Sequence, residues 1–127
     1  MLVLNQLTVT RIVASPAALD AAIWPEDALA LRTAADELIV LPEQPQTVLT
    51  DPYAIVISDG SYSGGWVGEV EGLHFLAHSC EWELPEGRPS FAQGAVAGIP
   101  LKLWFTDGRI LFVLESAFAA EFMEYWR

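Results

Sequence analysis

Lysine is almost missing from this sequence. Lys102 is the only one, and with five arginines it faces seventeen carboxylates, for a formal net charge of −11 over 127 residues. A surface so poor in cations cannot release counterions from a phosphate backbone, which speaks against nucleic acid as a partner and against an anionic membrane face. Cysteine is as scarce: Cys80 stands alone, so no internal disulfide and no cysteine-only metal centre can form. No apolar run comes near the roughly 20 residues a transmembrane helix needs. The first ten residues lack the charged start and small-residue cleavage site of a signal peptide, so the expected compartment is the cytosol. Charged residues make up only 18% of the chain and apolar ones 53%, a balance that excludes disorder and provides for a sizeable core in one domain.

The apolar residues are arranged in short runs. Residues 2–13 alternate as a strand, notably across Leu7-Thr8-Val9-Thr10. Ser15-Pro16 supplies a helix cap and a first-turn proline, and 17–24 then reads as a short helix stopped by Pro25. Residues 28–33 and 37–41 form a hairpin around Ala34-Ala35-Asp36. Prolines at 42, 45 and 52 mark a connector, 42–52, between a half at 1–41 and a half at 53–127. In the second half, 53–57 reads as a strand, 58–65 as a glycine-rich loop or hairpin, and Trp66-Val67 as the start of another strand. The spacing of Val70, Leu73, Leu76, Ala77 and Cys80 predicts a helix over 71–80 with those residues on its apolar face. Strands at 91–97, 99–105 and 110–114 follow, with a tight turn at Thr106-Asp107-Gly108. Ser116 is placed to cap a last helix, 117–126, that buries Phe118, Phe122, Met123 and Trp126. The expected class is α+β: two layered α/β halves, βαββ and then ββαβββα, rather than a doubly wound parallel sheet.

Chemistry-bearing motifs are few. There is no Gly-Lys-Ser/Thr phosphate loop, and the glycines of 60–68 are followed by Glu69 and Glu71, which would repel a pyrophosphate. A serine–histidine–acid set can be drawn from Ser61 or Ser63, His78 and Asp59, but no Gly-x-Ser-x-Gly elbow frames either serine. Glu71, His74, His78 and Glu81 recur at helical spacing. Two histidines one turn apart can chelate a divalent ion, with carboxylates completing the shell; the alternative is a solvated polar face. No catalytic residue is assigned. Five tryptophans are many for this length, and Trp66, Trp82 and Trp104, with Gln93, are the candidates for a ligand pocket or an interface.

From Ala28 onward the residues resemble a known family. The run 28–41, with Asp36-Glu37 between two apolar strands, is similar to the "x-x-Asp-Glu, Leu-rich strand" segment of sarcosine oxidase gamma subunits. Leu76-Ala77-His78-Ser79-Cys80-Glu81-Trp82-Glu83-Leu84-Pro85 resembles their helix end and "Cys-Pro-Leu-Asp-Leu" loop. Phe91-Ala92-Gln93-Gly94 and Ile99-Pro100-Leu101-Lys102-Leu103-Trp104 look like the "Cys-Ala-Gln-Thr" and "Val-Pro-Val-Leu-Leu" strands, and Leu114-Glu115-Ser116-Ala117-Phe118-Ala119 like the "Val-Pro-x-Ser-Tyr-Ala" lead-in to the last helix. Together these cover about three-quarters of the chain by order and spacing. The resemblance implies the fold of the aminomethyltransferase and folate-binding superfamily, which includes the glycine-cleavage T-protein. The catalytic aspartate of that protein has no counterpart here, since 98–105 contains no acid and Asp107 lies in the following turn.

The resemblance therefore implies a non-catalytic accessory subunit or protein-interaction module, partnered by a companion chain or by its own copy. Contact with a folate or with a flavin held by another chain enters by resemblance only, and the residues themselves call for no cofactor. The alternatives are a small-molecule binder with a folate-like or flavin-edge pocket, and a metal-assisted enzyme using Glu71, His74, His78 and Glu81.

Overall fold

The computed structural model describes residues 1–45, 49 and 51–126. In chain order the elements are β1 (Asn5–Val13), α1 (Pro16–Ala21), β2 (Leu29–Ala34), β3 (Glu37–Leu41), β4 (Ile55–Gly68), α2 (Glu69–Ser79), β5 (Ser90–Val96), β6 (Ile99–Phe105), β7 (Arg109–Glu115), a 3₁₀ turn (Ser116–Phe118) and α3 (Ala119–Trp126). Helices and strands are both present, in the α+β manner expected, and the strands follow the order β2-β3-β1-β4-β7-β6-β5. Two compact units divide the chain: Thr8–Gly60, and Met1–Leu7 with Ser61–Arg127. Of the proline-marked connector expected at 42–52, residues 46–48 and 50 lie outside the described residues. Among those described, no helix is long and apolar enough to cross a membrane.

In the smaller unit, β1 leads into α1, and β2 and β3 return as a hairpin whose second strand pairs antiparallel with β1. The cap read from Ser15 is present: its hydroxyl accepts the Ala18 amide at 3.2 Å, with Pro16 at the first helical position. The helix ends at Ala21, three residues short of the expected Trp24. Leu19 reaches from α1 into a cluster with Ile12, Ala14, Leu38 and Val40, and Trp24 and Val56 pack against its margin. Thr10 is buried, and its hydroxyl is satisfied by the backbone of Gln44, accepting from the amide at 2.6 Å and donating to the carbonyl at 3.1 Å.

The larger unit repeats the connection. After β4 the chain crosses in α2 and returns as the meander β5-β6-β7, whose last strand pairs antiparallel with β4. Alternation fixes the helix-side face of these strands: Ile99, Leu101, Leu103 and Phe105 of β6 and Ile110, Phe112 and Leu114 of β7 form one core with Phe75, Leu76 and Phe122. Phe75, Phe112, Phe122 and Trp126 meet ring to ring, with Phe75 and Trp126 centroids 4.5 Å apart. The face predicted for the last helix is the buried one, with Phe122 fully enclosed and Phe118, Met123 and Trp126 partly covered.

Three expectations are corrected. The loop at 58–65 and its two flanking strands are a single 14-residue strand, β4, so the second half reads βαβββα. Gly64 and Gly65 serve close packing in that strand. A Cβ on Gly64 would stand 2.6 Å from Leu7 Cδ1, and one on Gly65 only 2.1 Å from the Val3 carbonyl oxygen. The face expected for α2 holds in part: Leu73, Leu76 and Cys80 pack on the core, but Gly72 and Phe75 are buried with them, while Val70 is 85% exposed and Ala77 faces solvent. Gly72 lies close against β7 and β4, where a Cβ would meet Ile110 Cδ1 at 2.9 Å and Val67 Cγ1 at 3.2 Å. Finally, Ser116 does not cap α3. It lies inside the 3₁₀ turn, with Glu115 at the cap position, and its hydroxyl pairs with that of Ser63 at 2.8 Å.

Candidate functional site

The antiparallel register of the larger unit aligns four of its strands rung by rung. Trp66 of β4 lies opposite Leu111 of β7, Leu111 opposite Trp104 of β6, and Trp104 opposite Phe91 of β5. The neighbouring rung runs Gly64, Val113, Lys102, Gln93. Because successive side chains alternate between faces, the sequence candidates Trp66, Trp104 and Gln93 share the sheet face turned away from the helix-side core. Both tryptophans are half-buried. Cations lie over aromatic rings on this face, with Arg109 Cζ 4.1 Å from the Trp66 centroid and Lys102 Nζ 5.5 Å from that of Tyr62.

Trp82 belongs elsewhere. Its ring packs flat into the space left by Gly94, where a Cβ would come within 2.7 Å of it, and its indole N–H donates to the Ala95 carbonyl at 2.8 Å. It thereby joins the margin of the helix-side core.

The polar stripe is partly assembled. Glu71, His74 and His78 lie exposed on α2, the imidazole centroids 5.1 Å apart, and Glu81 falls two residues beyond the helix end. His78 Nδ1 is 3.0 Å from the His74 carbonyl, and Glu71 Oε2 receives the Met1 amine at 2.6 Å. Among the described residues, no three histidine, cysteine or carboxylate side chains come together so as to hold a metal ion. The serine–histidine–acid set is not formed around Ser63, whose hydroxyl is directed to Ser116.

A feature that sequence reasoning missed sits in the smaller unit, where β1 passes into α1. Val13, Ala14, Ser15, Pro16, Asp36, Asp51, Tyr53 and Ile55 line an open hollow of about 520 Å³. Two consecutive amides build it: the Ala14 N–H donates to the Asp36 carbonyl at 3.0 Å, and the Ser15 N–H to Asp51 Oδ2 at 3.0 Å. Asp51 Oδ1 accepts the Tyr53 amide at 2.9 Å, an Asx turn that the Asp-Pro-Tyr spelling announces. These backbone donors, Ser15 first and Tyr53 second, hold the Asp51 carboxyl below its usual range. Beside it, Tyr53 is 89% exposed, Ile55 55% and Ile57 45%, while Val56, between the two isoleucines, packs on the cluster behind the strand. Both arginines of this unit are engaged, Arg11 with Glu37 and Arg32 with Asp20. Set beside known proteins, the chain matches no family model and no curated protein.

Proposed function

We propose that this chain is a non-catalytic interaction module that docks on a companion protein, the accessory role implied by its resemblance to sarcosine oxidase gamma subunits. One observation carries the reading: large apolar side chains stand in solvent at Tyr53, Ile55 and Ile57 on a unit whose charge is unbalanced. Residues 8–60 hold eight carboxylates (Asp20, Glu26, Asp27, Asp36, Glu37, Glu43, Asp51, Asp59) against two arginines, a net charge of −6. Exposed apolar side chains bordered by polar residues, here Asp36 and Asp51 beside Tyr53 and Ile55, are what a docking face offers. The same reading takes the strand–helix–hairpin of one unit and the strand–helix–meander of the other as layering of the folate-binding, aminomethyltransferase type. Any folate or flavin contact is then supplied by the companion.

The test is recovery of the tagged chain from its own cells at low salt, with light scattering and an absorbance spectrum. A stoichiometric companion chain, or a dimer of this chain, is the expected result. A strict monomer that recovers nothing overturns the proposal. A stoichiometric yellow or folate-like absorbance on the isolated chain overturns it in favour of a small-molecule binder.

A further inference from the structure

We infer that the hollow between β1 and α1 is an arginine receptor, taking the guanidinium side chain of an apolar segment on a partner protein. The inference rests on the docking role just proposed and assigns that role a surface and a chemistry. Val13, Pro16 and Ile55 offer aliphatic walls to the stem of a long side chain, and Asp36 and Asp51 offer carboxylates at its head. Asp36 is tied to the hollow through its backbone carbonyl, which accepts the Ala14 amide, and Asp51 through its carboxylate, which accepts the Ser15 amide, so both residues belong to its lining. Asp51 is fixed by two backbone donors, which keeps it ionised and correctly turned without a cation of its own.

Arginine fits better than lysine for two reasons. Its planar fork reaches two acceptors at once, and its flat face stacks on an aromatic ring, whereas an ammonium is a strongly hydrated point charge. Tyr53 provides the ring, and its exposure leaves a face open for stacking. The larger unit already uses this packing, with Arg109 over Trp66 at 4.1 Å and Arg88 over Phe105 at 4.8 Å. Ile55 and Ile57 extend the apolar strip along β4 beyond the hollow, so the arginine should be flanked by apolar residues.

The experiment is a titration of the full, ¹⁵N-labelled chain with acetyl-Leu-Arg-Leu-amide at low salt, followed by amide shifts. Comparison peptides carry lysine or the neutral isostere citrulline, and free arginine amide is a further arm. Shifts should concentrate on Ala14, Ser15, Asp36, Asp51, Tyr53 and Ile55 and leave α2 unmoved. Citrulline should weaken binding about tenfold, as loss of a charge-assisted contact implies. Asp36→Asn and Tyr53→Ala, both at exposed side chains and so compatible with an unchanged melt, should weaken it similarly. Equal binding of the citrulline peptide, shifts spread over both units, or indifference to both substitutions would overturn the inference. Free arginine amide binding as tightly as the peptide would also overturn it, by making the site one for a small molecule. A companion recovered unchanged by the Tyr53→Ala chain defeats this inference but spares the docking role; peptide binding without any companion does the reverse.

Discussion

Gly65 shows how much one hydrogen atom can decide. A methyl group there would stand 2.1 Å from the Val3 carbonyl oxygen, a backbone atom that no rotamer change can move. Gly65→Ala should therefore cost at least the 1–3 kcal/mol typical of overpacking, while Gly87→Ala, with open space around its Cβ, should leave the melting temperature nearly unchanged. Parallel thermal melts of the two variants check this. The sequence could not separate these roles, because a Gly-Gly pair reads equally as a turn or as a close approach until the neighbour is known. Ser15 was legible because the whole device is local: cap, proline and amide lie within four residues. Asp51 carries a pH signature. Its folded carboxyl sits below the ordinary aspartate value, which is about 3.9 in an unfolded chain, so the stability it contributes is present above that value and is lost as pH falls through the folded one. Urea midpoints measured against pH should fall more steeply in acid for the native chain than for Asp51→Asn. Curves that stay parallel would refute the linkage.

At the scale of elements, the buried face of α3 was readable and that of α2 only in part, and the difference is physical. In α3, Phe122, Met123 and Trp126 fall on one stripe that packs on the core, and off it only Tyr125 is large and apolar, so pattern and burial largely coincide. In α2 the apolar residues are spread around the helix, and Gly72, which a count of apolar side chains passes over, lies on the buried face against Ile110 and Val67. A hydrophobicity pattern does not register a residue that packs by being small. Phe122 is fully enclosed among Phe75, Phe112 and Trp126, so Phe122→Ala should cost about 3–5 kcal/mol. Phe118, only partly covered, should cost clearly less on the same truncation. Urea denaturation of both variants distinguishes them, and equal losses would contradict the assigned face. The hollow at β1 and α1 escaped notice for a different reason. It draws on 13–16, Asp36, Asp51, Tyr53 and Ile55, segments far apart in the chain that the β1–β3 pairing and the Ser15–Asp51 hydrogen bond bring together. The aromatic rung Trp66–Leu111–Trp104–Phe91 likewise exists only once register is known.

For the whole molecule, the dominant quantity is charge. With −11 net and a pI near 4.3, the folded chain repels itself at neutral pH, and added salt screens that repulsion within a Debye length of about 8–10 Å. Melting temperature at pH 7 should accordingly rise as sodium chloride is added from low ionic strength; a fall would mean that the few ion pairs outweigh the repulsion. The unit boundaries, at 7/8 and 60/61, fall inside β1 and β4, so the expected division at 42–52 and the observed one mark different things: a change of composition in one case, density of packing in the other. The same charge bears on the tryptophan that fills the space over Gly94. β5 ends the strand order, and an end strand is a template on which a second molecule can polymerise, yet here the indole of Trp82 occupies the Ala95 carbonyl. Trp82→Phe keeps a ring in place but frees that acceptor. Near pH 4.3, where electrostatic repulsion vanishes, the variant should form thioflavin-positive fibrils sooner than the native chain, which would make this one hydrogen bond a guard against amyloid-like growth.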